Sequence, residues 1–203
     1  YLDQGEFFND FADYDVHVEV PPGYTVAATG VLNSKTTEGG MVDWHFQAEN
    51  VIDFAWFTSP AFRHEKYTGV VAGQNKVDLN VYYDPRDSVL WSKAGVYAAR
   101  ALEFYSDWLG AYPYQQMSVV SAPLSAGGGM EYPMVAQIGY MEDSASLDLV
   151  IAHEIGHTWL YGILANNERA HPWMDEGLKS FSEAQYTAKY QPAYREAYLP
   201  REY

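Results

Sequence analysis

The sequence predicts a mixed α and β chain built in two parts. Three observations lead there. The first third alternates polar and apolar residues, the period changes to three and four from residue 88, and two histidines stand four apart on a predicted helix. The chain has 203 residues, room for one large domain or two small ones. Apolar residues make up 48% and charged residues 19%, so a packed core is expected and dominant disorder is excluded.

The strand-like part is read in order. Asp15-Val16-His17-Val18-Glu19-Val20 alternates as a half-buried strand and stops at Pro21-Pro22-Gly23. Tyr24 to Gly30 resumes an extended pattern, and Glu38-Gly39-Gly40 turns the chain into the alternating run Met41 to Phe46. Phe54-Ala55-Trp56-Phe57 is wholly apolar and is expected as a central strand. Val77 to Tyr83 alternates again and ends at Asp84-Pro85.

From Ser88 to Leu109, Leu90, Ala94, Tyr97, Ala98, Ala101, Leu102, Tyr105 and Leu109 recur at helical spacing, predicting one long amphipathic helix ended by Gly110 and Pro113. Strands are expected at Met117–Ser121 and Val135–Ile138, with Gly127-Gly128-Gly129 between them too permissive for regular structure. A helix capped by Ser144 or Ser146 should run through Leu147 to about Leu160, and another from Glu176 to Tyr190.

The balance of 12 Lys and Arg against 27 Asp and Glu gives −15, which repels nucleic acid. Zero cysteines exclude disulfides, thiolate zinc sites and thiol catalysis. Apolar runs stop well short of the ~20 residues a membrane span needs, so no transmembrane segment is expected. Tyr1-Leu2-Asp3-Gln4-Gly5-Glu6 is acidic and unlike a signal peptide. A start without Met and an end at Tyr203 in a helix-like stretch suggest a piece of a longer protein.

His153-Glu154-Ile155-Gly156-His157 carries the chemistry. On a helix both imidazoles share a face and reach one ion, with Glu154 beside them. Glu176, in Trp173-Met174-Asp175-Glu176-Gly177, lies 176 − 157 = 19 positions after His157 and supplies a third donor if the loop through Asn166, Asn167 and Pro172 turns the chain back. Two histidines and a glutamate make a zinc site with a position left for water. His17, His45 and His64 are read as strand residues, and His171 as a loop residue between the ligands. Tyr186, Tyr190, Tyr194 and Tyr198 are read as packing aromatics.

Gly128-Gly129-Met130-Glu131-Tyr132-Pro133, the His153–Trp159 stretch and Trp173–Gly177 together resemble the zinc aminopeptidases of the aminopeptidase N type, gluzincins whose family includes leukotriene hydrolase. The likeness runs from about Glu6 to the last residue, and better-known relatives have Asn in place of Tyr132. The resemblance implies the C-terminal part of an antiparallel β-domain over 1–66, then the first part of a thermolysin-like α/β catalytic domain over 67–203. It implies one Zn2+ per chain on His153, His157 and Glu176, with Glu154 as general base. Glu131 would bind the substrate's free α-amino group, Gly128, Gly129 and Met130 would lie against the peptide, and Glu183 would orient a ligand histidine. Asp175, where many relatives have Asn, is assigned no role.

The implied activity is zinc aminopeptidase action on peptides with a free N-terminus. The alternatives are a zinc endopeptidase, an epoxide hydrolase of the same family, and a non-catalytic scaffold. The stretch Gly128–Pro133 is similar to the bacterial Gly-Gly-Met-Glu-Tyr-Pro branch of the family, whose members are often exported, which slightly favours a periplasmic or cell-surface location over the cytoplasm. The family's transition-state tyrosine is expected beyond Tyr203, which would leave the 203-residue chain impaired by itself.

Overall fold

The computed structural model describes residues 8–125 and 127–194. Tyr198 and Tyr203, like the acidic opening Tyr1–Glu6, lie outside the described residues. Strand β1 (Ala12–Val20) pairs antiparallel with β4 (Met41–Val51), and β4 pairs antiparallel with β3 (Val31–Glu38), giving a three-stranded sheet. Its inner face carries Val18, Val20, Val42, Trp44 and Phe46, the apolar half of the alternation. Strand β2 (Thr25–Ala28) pairs with β5 (Trp56–Ser59) in a separate two-stranded sheet.

The second part is a five-stranded mixed sheet in the order β6-β7-β8-β10-β9. Its strands are β6 (Arg63–Ala72), β7 (Asn75–Tyr83), β8 (Gln116–Ser121), β9 (Gly129–Met130) and β10 (Val135–Ile138). β7, β8 and β10 run parallel, while the outer strands β6 and β9 are antiparallel to their neighbours. β6 runs across position 66, so this sheet starts at Arg63.

Helices cover one face of this sheet. After α1 (Ser88–Trp91) come α2 (Ala94–Leu109), α3 (Ser144–His157) and α4 (Leu178–Tyr190). Val77, Leu79, Val81 and Tyr83 on β7 meet Ala94, Ala98, Ala101, Leu102 and Tyr105 on α2 and Leu147, Ile151, Ala152 and Ile155 on α3 in one core. Each fully buried Leu- or Val-sized side chain there is worth about 1.5–3 kcal/mol. The two parts are tied by buried polar contacts. Gln116 Nε2 donates to the Gly30 carbonyl at 2.8 Å, and Thr29 Oγ1 donates to the Pro133 carbonyl at 2.8 Å. Among the described residues, no helix is long and apolar enough to cross a membrane.

Four local expectations need correction. The helix over 88–109 is broken at Ser92 and Lys93, where the Ser92 hydroxyl donates to the Val89 carbonyl at 2.8 Å and competes with the helical backbone. Phe54–Phe57 is not a central strand. Only its second half enters β5, whose one partner is β2, and Trp56 is 51% exposed. The run is apolar because Phe54 and Phe57 pack against Tyr14 and Tyr132. Gly129, expected to be irregular, opens β9 opposite Ile138. The cap of α3 is Asp143, one residue before Ser144 and three before Ser146; its Oδ1 accepts from the backbone of Ala145 and Ser146 at 2.8 and 2.9 Å.

Candidate metal centre

Helix α3 ends at His157 and widens into a π-helical turn, Thr158–Gly162; a second such turn, Trp173–Gly177, leads into α4. The two wide turns flank the site, where insertions of this kind are frequent. Four residues apart on α3, His153 and His157 bring their Nε2 atoms to 3.1 Å from each other. Glu176 Oε2 lies 3.4 Å from His153 Nε2 and 3.9 Å from His157 Nε2. Donors of a tetrahedral zinc ion with bonds near 2.0–2.1 Å stand about 3.3 Å apart, so this triangle fits the ion.

Each imidazole is held from its other side. His153 Nδ1 is 2.8 Å from Glu183 Oε2, and His157 Nδ1 is 2.5 Å from Asp175 Oδ1. A carboxylate at Nδ1 keeps the proton there and leaves Nε2 as the metal donor. Adjacent residues of the second wide turn thus meet two edges of one ring, Asp175 at Nδ1 and Glu176 at Nε2. Asp175 is the residue that sequence reasoning passed over. Its signal was a hydrogen-bonding side chain directly before Glu176.

Close packing brings α4 to this position. A Cβ on Gly156 would lie 2.4 Å from Lys179 Cε and 2.8 Å from Tyr105 Cζ, so only glycine fits under the lysine. Lys179 is fully buried with Nζ 3.9 Å from Glu183 Oε2. Burial lowers its pKa to about 8, and Glu183 and Glu154 oppose that shift. A second buried network lies further along the same helices. Asp148 on α3 accepts from the Tyr186 hydroxyl at 2.7 Å and from Gln191 Nε2 at 2.6 Å, and pairs with Arg100 of α2.

Glu154 is buried beside the triangle, and its Oε2 has no hydrogen-bond partner among the described residues. Burial raises its pKa, while His153 and Lys179 pull it down. A Cβ on Gly129 would lie 2.5 Å from the Glu154 carboxylate, so the edge strand β9 passes directly over it. Glu131, just after β9, places a carboxylate oxygen within 4.8 Å of donors on His157 and Asp175. Met130 is half-buried on β9 opposite Gln137, whereas Gly128 is exposed in the preceding turn with φ +69°. His171 is exposed in the loop between His157 and Glu176.

Without an ion, burial disfavours charge on His153, but hydrogen bonds to Glu176 and Glu183 outweigh it and lift its pKa to about 9. His157 is held well below the usual range by burial and by His153. A hydrogen bond from His153 keeps Glu176 ionised to lower pH than usual.

The peptidase family M1 domain matches residues 96–202. Aminopeptidase M1-C of Oryza sativa subsp. japonica is 23% identical over 182 residues, 84% of this chain and 20% of that protein. An M1 zinc metallopeptidase mutant from Deinococcus radiodurans, bound to a Tyr-Ser-Ala substrate, is 21% identical with a TM-score of 0.72, over 90% of this chain and 42% of that one. Legionella pneumophila aminopeptidase A in complex with aspartic acid is 16% identical with a TM-score of 0.76, over 90% of this chain and 24% of that one. At these identities the structural likeness is one of fold. The chain spans about a fifth to two fifths of the length of these relatives.

Two outcomes are expected. Asp175→Ala should weaken zinc binding by about 10- to 100-fold by freeing the His157 ring, while Asp175→Asn, which still accepts at Nδ1, should recover most of the loss. Competition with a chromophoric chelator measures both. Because metal-free His153 titrates at about 9, zinc must displace its proton at neutral pH. Apparent affinity should therefore rise up to about tenfold per pH unit from 7 towards 9 and level off above. Calorimetry in two buffers of different ionisation heat reads the released proton directly.

Proposed function

The chain belongs to peptidase family M1, and from that premise we propose that it carries the metal centre of a zinc aminopeptidase that removes N-terminal residues from peptides, one zinc per chain. The observation that carries this reading is the triangle of His153, His157 and Glu176 donors with the buried, unpartnered carboxylate oxygen of Glu154 beside it. Bound there, zinc would polarise the scissile carbonyl and acidify a water.

The chain's own groups do the rest. Glu154 takes the proton of the attacking water and passes it to the leaving amine, a task suited to a carboxylate whose pKa burial has raised. Glu183 and Asp175 hold the two imidazoles by their Nδ1 protons. β9 ends the five-stranded sheet, so its outer edge can pair with an extended peptide, and Gly129 lets that backbone lie close over the base. Glu131, at the end of that edge, pairs with the substrate's α-ammonium, which limits cleavage to a chain terminus. The peptide bound in the Deinococcus radiodurans relative supports a peptide as substrate.

Glu154→Gln in the active protein should keep its zinc and lose at least ~100-fold in turnover, because the amide cannot take the proton. Near-normal turnover would exclude Glu154 as the base. Glu131→Ala should leave metal content intact and erode the preference for free over N-acetylated peptides. An unchanged preference would exclude the amine-binding role, and a parent that cleaves acetylated peptides as well as free ones would overturn the aminopeptidase reading.

A further inference from the structure

A second set of metal-ligating side chains lies on the outer face of the three-stranded sheet. Alternation turns Val16 and Val18 of β1, with Trp44 and Phe46 of β4, toward the core. It leaves Asp15 and His17, with Asp43, His45 and Gln47, on the other face. The antiparallel register then sets His17 directly opposite His45 and Asp15 opposite Gln47. The two imidazoles stack with centroids 4.2 Å apart and planes 3° from parallel.

Both rings turn Nε2 toward the same oxygen. Asp15 Oδ1 is 2.8 Å from His45 Nε2 and 3.9 Å from His17 Nε2, values on either side of the roughly 3.3 Å between donors of a tetrahedral zinc ion. One donor atom from each of the three residues falls within 4.8 Å of the others. The rear of the set is braced. Asp43 Oδ2 stands 2.8 Å from His17 Nδ1, which leaves Nε2 as that ring's donor, and Gln47 Nε2 donates to Asp15 Oδ2 at 2.7 Å. Asn33 Nδ2 in turn donates to Gln47 Oε1 at 2.5 Å. A carboxylate behind a histidine that faces a second carboxylate is the arrangement already described on α3, here assembled from two strands.

We propose that His17, His45 and Asp15 form a second metal site, for a divalent transition-metal ion of the zinc, copper and nickel class. Two imidazoles and one carboxylate suit those ions, whereas magnesium and calcium call for oxygen donors throughout. The side chains of His17 and Asp15 are 57% and 60% exposed, so an ion reaches them without any opening of the fold. Water completes its coordination. The same exposure makes this site the weaker of the two. An ion here cross-links β1 to β4 through side chains, in addition to the backbone ladder.

Zinc titration of the chain by calorimetry, with elemental analysis after dialysis, tests the proposal. Two equivalents are expected, one tight and one weaker. His45→Ala and the more exposed Asp15→Asn should each abolish the weaker equivalent and keep the tight one, and His153→Ala should do the reverse. Asp43→Ala should weaken the second equivalent by about 10- to 100-fold. In the His153→Ala, His157→Ala background, bound Cu2+ should show hyperfine coupling to two imidazole nitrogens by electron paramagnetic resonance. A single equivalent in the unaltered chain overturns the proposal. So does a second equivalent that survives Asp15→Asn and the loss of both His17 and His45.

Discussion

Two imidazole–carboxylate hydrogen bonds hold the site in shape, His153 to Glu183 and His157 to Asp175. Both run from α3 to the segment that follows the loop, so the geometry of the ligands is the geometry of that one packing contact. It needs close approach. Gly156 provides room for Lys179, and Lys179 supplies the one buried ammonium next to Glu183 among the described residues. Further along, Asp148 gathers Tyr186 and Gln191 from beyond the loop and Arg100 from α2, which fixes the same two helices at a second point.

Burial around these groups has a chemical consequence. Four carboxylates, Glu154, Asp175, Glu176 and Glu183, stand near two imidazoles and one lysine, and of these only Glu176 has a half-exposed side chain. Burial and the facing carboxylates drive the two imidazoles apart, raising the pKa of His153 and lowering that of His157. A divalent cation relieves the same excess of negative charge. Zinc would thus compete with a proton for His153, and the cluster's affinity and its acidity are two aspects of one electrostatic balance.

Much of this was legible in the sequence, and what was missed has physical reasons. The histidine pair follows from helical period, whereas the place of Glu183 came only with the family resemblance. In the first part, β1 and the start of β4 follow from strict alternation, whereas β3 does not alternate and β5 was misread as central. Asp175 escaped because its contact with His157 Nδ1 is set by the wide turn 173–177, which residue spacing does not reveal, and Lys179 because a lysine is ordinarily a surface residue. The break at Ser92 escaped because apolar period does not register a hydroxyl that bonds the backbone. The pairing of His17 with His45 depends on strand register, which neither strand's own sequence encodes.

The central claim is that zinc sits against Nε2 of both histidines while Nδ1 of each stays with its carboxylate. Anomalous diffraction at the zinc edge from crystals of the zinc-loaded chain measures this most directly. The account predicts a strong peak bounded by His153 Nε2, His157 Nε2 and Glu176 Oε2, with Glu183 and Asp175 still at the Nδ1 atoms. Zinc bound through Nδ1 of either ring, or no peak within coordination distance of Glu176, would contradict it.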